Sequence, residues 1–155
     1  MIGEEMKEKK KLLYTNLLQR LDLQIDSTQK ALQSTKESRD NETKSSVGDK
    51  YETGRAMMQL EQGRLESQLN KTLHLRKILT QINLEKEYLQ VEAGAMVETD
   101  QGIYFISIGL GKVVLEDQTY FAISTAAPVS GVLLGKKVGD VAVFQGREFM
   151  IQNVC

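Results

Sequence analysis

Proline and glycine, the residues that most often interrupt regular secondary structure, lie mainly in the second part of this chain. Residues 1–90 contain no proline and only four glycines, whereas residues 91–155 contain the other eight glycines, the single Pro128 and all four phenylalanines. A long stretch without these interruptions favours helix, because proline breaks a helix and glycine weakens it. Short runs of β-forming residues between glycines favour strands and turns instead. The sequence therefore predicts a helical part followed by a small β-rich part.

Apolar spacing predicts one long helix over residues 4–42. Apolar or tolerated residues recur there in alternating steps of four and three, at Tyr14, Leu18, Leu21, Ile25, Thr28, Leu32 and Thr35. This spacing is typical of a coiled-coil seam, in which one stripe of each helix faces a partner helix.

A polar segment at residues 40–49 predicts a turn, because it is short, charged and contains Gly48 near its end. A second helical pattern follows over about residues 49–90, and the residues that can face the first helix are Met58, Leu65, Leu69, Thr72 and Leu79. Two long helices joined by a short turn pack as antiparallel neighbours. We therefore predict an antiparallel coiled-coil hairpin over residues 1–90, with its tip at about residues 40–49.

The second helical pattern carries more apolar residues near its end than a two-helix seam needs. The surplus residues include Leu73, Leu75, Ile78 and Ile82. A wide apolar face on a helix normally packs against something. The pattern leaves two partners open, namely another part of the chain or a second copy of the protein.

After residue 90 the apolar period changes to two, the period of a half-buried strand. The predicted strands cover residues 91–99, 103–108, 112–115, 119–124, 141–144 and 148–154. One or two helical turns are predicted at residues 129–134, since Pro128 fits the first turn of a helix. The predicted fold class is α+β, with the hairpin followed by a compact, mostly antiparallel β-domain at residues 91–155.

Charge and composition argue against several classes of function. The formal net charge is −1, so no large basic field covers the protein to attract nucleic acid or anionic lipid. One cysteine, Cys155, excludes an internal disulfide framework and a thiolate zinc site. One histidine, His74, argues against histidine-dependent triads and is expected on the surface of a helix. Without a signal-like or membrane-spanning apolar stretch, the expected location is the cytoplasm, with no membrane partner.

One segment near the end of the chain carries a family resemblance. Residues 127–140 read Ala-Pro-Val-Ser-Gly-Val-Leu-Leu-Gly-Lys-Lys-Val-Gly-Asp and precede a strand, a glycine turn and a final strand. The helical part adds Lys50 and Tyr51, followed by the motif Gln62-Gly-Arg-Leu65. In order and spacing, these motifs resemble the bacterial Gre transcript-cleavage factors. That family carries a Ser-Pro-Ile/Leu segment, a Leu-Leu/Ile-Gly-Lys element and a Gly-Asp turn, after a helix with Glu-Tyr and Glu-Gly-Arg-Ile/Leu.

The resemblance implies both a fold and a mode of action. A β-domain of the FKBP-like fold docks beside the secondary channel of bacterial RNA polymerase, and the coiled coil enters that channel. An acidic pair at the tip then helps to hold the second catalytic Mg²⁺, so that the polymerase cleaves backtracked RNA. Carboxylates suit this task because a hard divalent cation prefers oxygen ligands.

The same resemblance implies that the protein is an accessory factor of the polymerase and not an enzyme. It would have no cofactor of its own, and any Mg²⁺ would be shared in the polymerase active site. Its contact with nucleic acid would be indirect, through the elongation complex. The expected roles are therefore polymerase binding and regulation of transcription elongation.

The sequence departs from the family at the tip. The ungapped match places the acidic pair on Lys44 and Val47, neither of which can hold Mg²⁺. The nearby tip acids are Asp40, Glu42 and Asp49, and a small shift in register would let two of them substitute. Without such a shift, the factor would bind the channel but not stimulate cleavage, because a metal clamp needs accurate placement.

Other residues have both a functional and a plain interpretation. Lys50 and Arg55, together with Arg64, are candidates for a basic strip that contacts nascent RNA, as the basic patch of the family does, although exposed helical charges are also ordinary surface residues. Pro128, Val129 and Leu134 are candidates for the surface that docks on polymerase. Equally, one of Leu133 and Leu134 is expected to fill the core of the β-domain.

Two further functions remain open at this point. One is a coiled-coil adaptor that self-associates through Leu73, Leu75, Ile78 and Ile82 and does not bind polymerase. The other is a small isomerase, which a resemblance in fold alone does not establish.

Overall fold

The computed structural model describes residues 2–42 and 48–155 of the chain. Helix α1 spans Ile2–Glu42 and helix α2 spans Gly48–Thr80, which are 41 and 33 residues long. The predicted long helix over residues 4–42 is confirmed. Residues 43–47 of the predicted turn lie outside the described residues.

Helix α2 ends ten residues before the predicted end at residue 90, so the helical prediction for residues 81–90 was wrong. The backbone N–H groups of Gln81 and Ile82 donate to carbonyl oxygens three residues earlier, which tightens the last turn. The side-chain Oδ1 of Asn83 then accepts the N–H of Glu85 at 2.9 Å. Such a local side-chain bond offers the backbone an alternative to the helix.

The second part of the chain forms one six-stranded sheet. Its strands are β1 (Met96–Thr99), β2 (Gly102–Ile106), β3 (Gly111–Leu115), β4 (Gln118–Ile123), β5 (Val141–Phe144) and β6 (Arg147–Val154). The order across the sheet is β3-β4-β2-β1-β6-β5. All neighbours are antiparallel except β2 and β4, which are parallel. The predicted α+β class with a mostly antiparallel sheet is confirmed, although β1 begins five residues later than predicted.

Two hairpins of the sheet use two-residue turns with left-handed backbone. Glu116 and Asp117 join β3 to β4 with φ of 49° and 64°, and Gln145 and Gly146 join β5 to β6 with φ of 52° and 77°. Positive φ at both central residues is the conformation that matches the right-handed twist of the flanking strands. These turns fix the register of both hairpins.

A short helix, α3 (Pro128–Leu133), packs against one face of the sheet. The core cluster on that face combines Leu133 with buried residues of the sheet and its approach, namely Val91, Val97, Ile106, Ala142, Phe149 and Ile151. Leu133 is completely buried, whereas Leu134 is exposed. Of the two candidate core leucines, Leu133 is therefore the one that fills the core.

The chain forms two compact units. One combines Met1–Leu17 with Ile78–Cys155, and the other is Leu18–Lys77. In the first unit, the start of α1 buries a stripe of four residues, Met6, Lys10, Leu13 and Leu17. The sequence predicted Tyr14 and Leu18 in the seam instead, and both are only half-buried. The buried stripe differs from the predicted one because residues 1–17 pack within the unit that contains the sheet.

In the Leu18–Lys77 unit, α1 and α2 lie side by side. Arg76 Nε on α2 donates to Asp22 Oδ1 on α1 at 2.6 Å. Among the described residues of this unit, the buried ones are Leu21, Thr28, Leu65 and Thr72, all of which belong to the predicted seam. His74 is exposed on α2, as predicted.

Candidate functional site

The segment that carries the family resemblance folds into α3 and its flanks. Ala127 precedes the helix in an extended conformation and Pro128 is its first residue, where a missing N–H costs nothing. The hydroxyl of Ser130, which is completely buried, donates to the carbonyl of Ser124 at 2.6 Å. This bond ties the first turn of α3 to the end of β4.

The end of α3 is fixed by bonds to the chain that leads into β1. Gly135 has φ of 83°, a left-handed conformation that suits glycine just past a helix. Its N–H donates to the carbonyl of Val91 at 2.7 Å, and the N–H of Val91 donates to the carbonyl of Lys136 at 2.8 Å. The two bonds hold the segment after α3 in place.

The predicted docking residues therefore occur on one short, well-anchored helix and its last flank. Pro128 is exposed, Val129 is half-buried against the core cluster, and Leu134 is 37% exposed. Pro128 and Leu134 thus remain at the surface, because their neighbours Val129 and Leu133 are the ones that pack in the core cluster.

A cavity of about 540 Å³ lies beside α3, and three of its six lining residues are aromatic. Its lining residues are Tyr104, Val129, Phe144, Gln145, Arg147 and Phe149. The ring of Tyr104 stacks on Phe121 with centroids 5.1 Å apart and meets Phe149 edge-on at 6.0 Å. We call this feature the aromatic cavity.

The aromatic cavity combines aromatic rings with one positive charge. Burial raises the pKa of Tyr104, and the nearby positive charge of Arg147 acts in the opposite direction. The cavity thus presents apolar ring faces and one guanidinium, a combination that accommodates an apolar group next to an anion.

Sequence analysis missed the aromatic cavity, although Val129 was singled out for docking. Its aromatic residues come from β2, β5 and β6, and only the fold brings them together. The available signal was compositional, since all four phenylalanines lie after residue 90.

A second unexpected feature is the buried ammonium group of Lys10, in the unit that contains the sheet. The residue is only 2% exposed, and its Nζ donates to the carbonyl oxygen of Cys155 at 2.9 Å. The Nζ also lies 4.4 Å from the ring centroid of Tyr88 and 6.0 Å from that of Phe105. Burial lowers the pKa of Lys10 from 10.5 to about 8.

The signal for Lys10 was present in the sequence. It lies four residues after Met6 and three before Leu13, which places it on the buried stripe of α1. Lysine is normally expected on the solvated face of a helix, because it is almost never buried without partners. Here an aromatic ring and a carbonyl oxygen serve as those partners.

Tyr88 belongs to the segment that connects α2 to β1, and its side chain lies near two lysines and a glycine. Lys86 Nζ is 4.9 Å from its ring centroid and forms an ion pair with Glu92 at 2.8 Å. The Tyr88 hydroxyl occupies the space that a Cβ on Gly94 would need, and Gly94 has φ of 94°. Only glycine fits there without displacement of the ring.

Most of the predicted tip residues are not described by the structure. Lys44 and Val47 lie outside the described residues, and Glu42, Asp49 and Lys50 lie in helices whose side chains are undescribed there. The two exceptions are Asp40, which is exposed near the end of α1, and Arg55, which is exposed on α2. The geometry of the tip acids therefore stays a prediction.

The residues proposed for self-association have mixed exposure. Leu73 and Ile78 are exposed, whereas Leu75 and Ile82 are half-buried. Ile78 and Ile82 line a cavity of about 550 Å³ in the unit that contains the sheet. The half-buried Leu75 and Ile82 are thus covered in part by other residues of the same chain.

Within residues 2–42 and 48–155, no three histidine, cysteine or acidic side chains come together as a metal-binding group. None of the helices in this described part has the length and apolar character that a membrane span needs. No protein-family model and no curated protein matches the chain.

Proposed function

We propose that this protein is a Gre-like transcription factor that binds bacterial RNA polymerase. In this proposal, α1 and α2 form a coiled-coil hairpin that enters the secondary channel, and the sheet with α3 is an FKBP-like domain that docks beside it. Asp22 and Arg76 are consistent with the hairpin, since their ion pair joins the middle of α1 to a late position of α2.

The observation that carries the proposal is the segment at residues 127–140. It resembles the family motif in sequence, and it folds into an anchored helix with Pro128 and Leu134 at the surface. A buried proline or a fully buried Leu134 would have made a docking role untenable. The order of the elements, with two long helices before a small sheet, also agrees with the family.

We propose further that the factor binds without stimulating cleavage of RNA. Lys44 and Val47 replace the acidic pair, and an ammonium or an alkyl group cannot ligate Mg²⁺. Asp40, Glu42 and Asp49 would have to reach the metal from different positions. Such a factor would compete with cleavage factors for the channel.

Binding to bacterial core RNA polymerase tests the proposal. We expect co-migration with the polymerase in size-exclusion chromatography, and at least a ten-fold weaker affinity for Leu134→Glu. The matched control is Val114→Glu, which places the same charge on an exposed apolar position of β3 and should bind normally. Substitutions at the tip should weaken binding less than Leu134→Glu does.

Two outcomes would contradict the proposal in different ways. If neither core polymerase nor elongation complexes bind the protein, polymerase is not its partner. If the protein stimulates strong cleavage of a backtracked complex, and Asp40→Ala, Glu42→Ala or Asp49→Ala abolishes it, the non-cleaving role is wrong.

The adaptor function is the alternative outcome. The exposure of Leu73 and Ile78 on the described helix leaves apolar surface for a partner helix. A stable oligomer that ignores polymerase and dissociates on Leu73→Lys would favour this alternative.

A further inference from the structure

Strand β5 is one edge of the sheet, and two of the features that usually protect an edge, a charged residue and a proline, are absent from its four residues. Its residues, Val141-Ala-Val-Phe144, include no charge and no proline. The opposite edge, β3, carries Lys112. Proteins commonly place a lysine or a proline on an edge strand because an unpaired strand otherwise recruits another strand.

The hydrogen-bond pattern shows which backbone groups of β5 point outward. The N–H of Ile151 donates to the carbonyl of Asp140 at 2.9 Å, and the N–H of Gly139 donates to the carbonyl of Ile151 at 2.8 Å, so Gly139 and Asp140 share a hydrogen-bonded pair with Ile151 across a bulge. Along an antiparallel ladder, such pairs alternate with pairs that do not share bonds. The next bonded residues are therefore Ala142 and Phe144, and the N–H and C=O groups of Val141 and Val143 face away from β6.

An independent bond agrees with this alternation. Met150 is the partner of Val141 in the register, and its N–H points away from β5 to Asp100 Oδ1 at 2.8 Å. In the part of the chain that the structure describes, no protein group bonds the outward N–H and C=O of Val141 and Val143. They form a two-residue template for another strand.

Beside this template, one face of the sheet carries mainly apolar side chains, together with Glu148 opposite Val143. Val141, Val143 and Met150 share that face and are all exposed. On the other face, Asp140 follows the register of Ile151, and Arg147 stands opposite Phe144. A strand that fits this edge would therefore carry branched apolar side chains on the first face and a carboxylate near Arg147 on the second.

We propose that β5 pairs with β5 of a second copy of this chain, antiparallel and about a two-fold axis at Ala142. Each outward Val141 then lies opposite Val143 of the other copy, and four main-chain hydrogen bonds join the two sheets. Strand β5 itself meets these requirements, since its valines stand at alternate positions after an acidic residue.

Charge complementarity supports a second copy as the occupant. In this arrangement, Asp140 of one copy lies opposite Phe144 of the other, on the face that also carries Arg147. Within its own chain, Asp140 Oδ2 accepts the N–H of Lys137 at 2.8 Å. An ionised carboxylate accepts more than one hydrogen bond, so the long guanidinium side chain of the other copy can add a second contact, which the symmetry makes twice. Glu148 lies on the other face beside the valines, so no like charges oppose each other.

The contact is small, since only the five residues 140–144 of each copy pair. Interfaces of this size are weak and depend on concentration. We therefore expect monomers at about 10 µM and a growing fraction of dimer towards about 1 mM, a range that corresponds to weak affinities.

Sedimentation equilibrium of the full chain over this range tests the pairing. The mass should rise from 17.4 kDa towards twice that value. Val143→Lys should weaken the association at least ten-fold, because the new lysines of the two copies would flank the axis and repel each other. The matched control is Val114→Lys on β3, since Val114 is 56% exposed and Val143 is 57% exposed. The control should associate like the wild type.

A charge exchange and amide hydrogen exchange make the test specific to this edge. Asp140→Lys and Arg147→Glu should each weaken the dimer, and the double variant should restore it. At high concentration, the amides of Val141 and Val143 should gain protection from exchange, whereas that of Val114 should not.

Three results would overturn the pairing. They are a monomer throughout the concentration range, a dimer that Val114→Lys weakens as much as Val143→Lys, and a dimer that only Leu73→Lys dissociates. None of these measurements involves polymerase. Failure of the pairing and failure of polymerase binding are therefore distinguishable.

Discussion

The two compact units of the protein are stabilised to different degrees by burial. The unit of Met1–Leu17 with Ile78–Cys155 contains most of the fully buried apolar side chains, from both α1 and the sheet. In Leu18–Lys77, the buried apolar residues are Leu21 and Leu65, and the other buried positions are threonines. Helix α1 thus contributes to a dense core at one end and to a thin seam in the remainder of its length.

The threonines of the thin seam satisfy their hydroxyls within their own helix. Thr28 donates to the carbonyl of Gln24, Thr35 to that of Ala31 and Thr72 to that of Gln68, at 2.8 to 2.9 Å. These bonds remove the cost of a buried hydroxyl but add no link between the helices. The seam is therefore expected to open locally more easily than the core of the other unit.

The largest expected effect comes from truncation of one leucine in each unit. Leu17→Ala removes a completely buried side chain and should lower the free energy of unfolding by about 3 kcal/mol. Leu32→Ala removes a half-buried one in the seam and should cost about 1 kcal/mol. Urea denaturation of both variants, followed by circular dichroism, measures the difference.

Equal losses for the two leucines would break the comparison between the units. The comparison would be sharpened if, in the Leu32→Ala variant, the amides of Leu18–Lys77 lost their protection from hydrogen exchange before the whole protein unfolded. Leu23→Ala, at an exposed position of α1, is the control for the effect of alanine on helix propensity.

Two glycines give the next largest contrast, because their surroundings are opposite. Gly94→Ala should lower the free energy of unfolding by about 2 kcal/mol, since the new methyl collides with the Tyr88 hydroxyl and φ of 94° strains an alanine. Gly63→Ala should raise it by about 0.5–1 kcal/mol, because the α2 position has open space and alanine favours helix. Thermal unfolding of both variants measures the two signs.

A stabilising Gly94→Ala would show that Tyr88 can move aside without loss. In that case the Tyr88 ring is not a fixed support for the Lys10 ammonium. A destabilising Gly63→Ala would instead show that α2 needs a bend at this glycine, which the described helix does not require.

The difference between local patterns and contacts of distant segments explains which features could be predicted from the sequence. Helix α1, the α+β class and most strands follow from local apolar periods, which do not depend on the partner. The end of α2 depends on one side-chain bond at Asn83, and the parallel pairing of β2 with β4 is a choice of topology. The partners of the buried Lys10 and the aromatic cavity arise only when distant segments meet, so no local pattern contains them.

The smallest predicted effect concerns the charge of Lys10, which the dense unit buries. Because burial lowers the pKa to about 8 in the folded protein, the unfolded chain binds more protons than the folded one above that pH. Unfolding free energy should therefore rise by about 0.5–1 kcal/mol from pH 8 to pH 9. Burial raises the pKa of Cys155, which acts in the opposite direction near pH 9, so a variant is needed to separate them.

Lys10→Met retains Cys155 and a side chain of similar length but removes the titrating group. The carbonyl of Cys155 keeps a partner in this variant, because the N–H of Met96 also donates to it at 2.7 Å. We expect the rise from pH 8 to pH 9 to be smaller in Lys10→Met by about 0.5–1 kcal/mol. Parallel urea titrations at the two pH values measure the difference. If both proteins respond alike, Lys10 keeps its ordinary pKa because water reaches its ammonium, and the core around it is looser than its burial indicates.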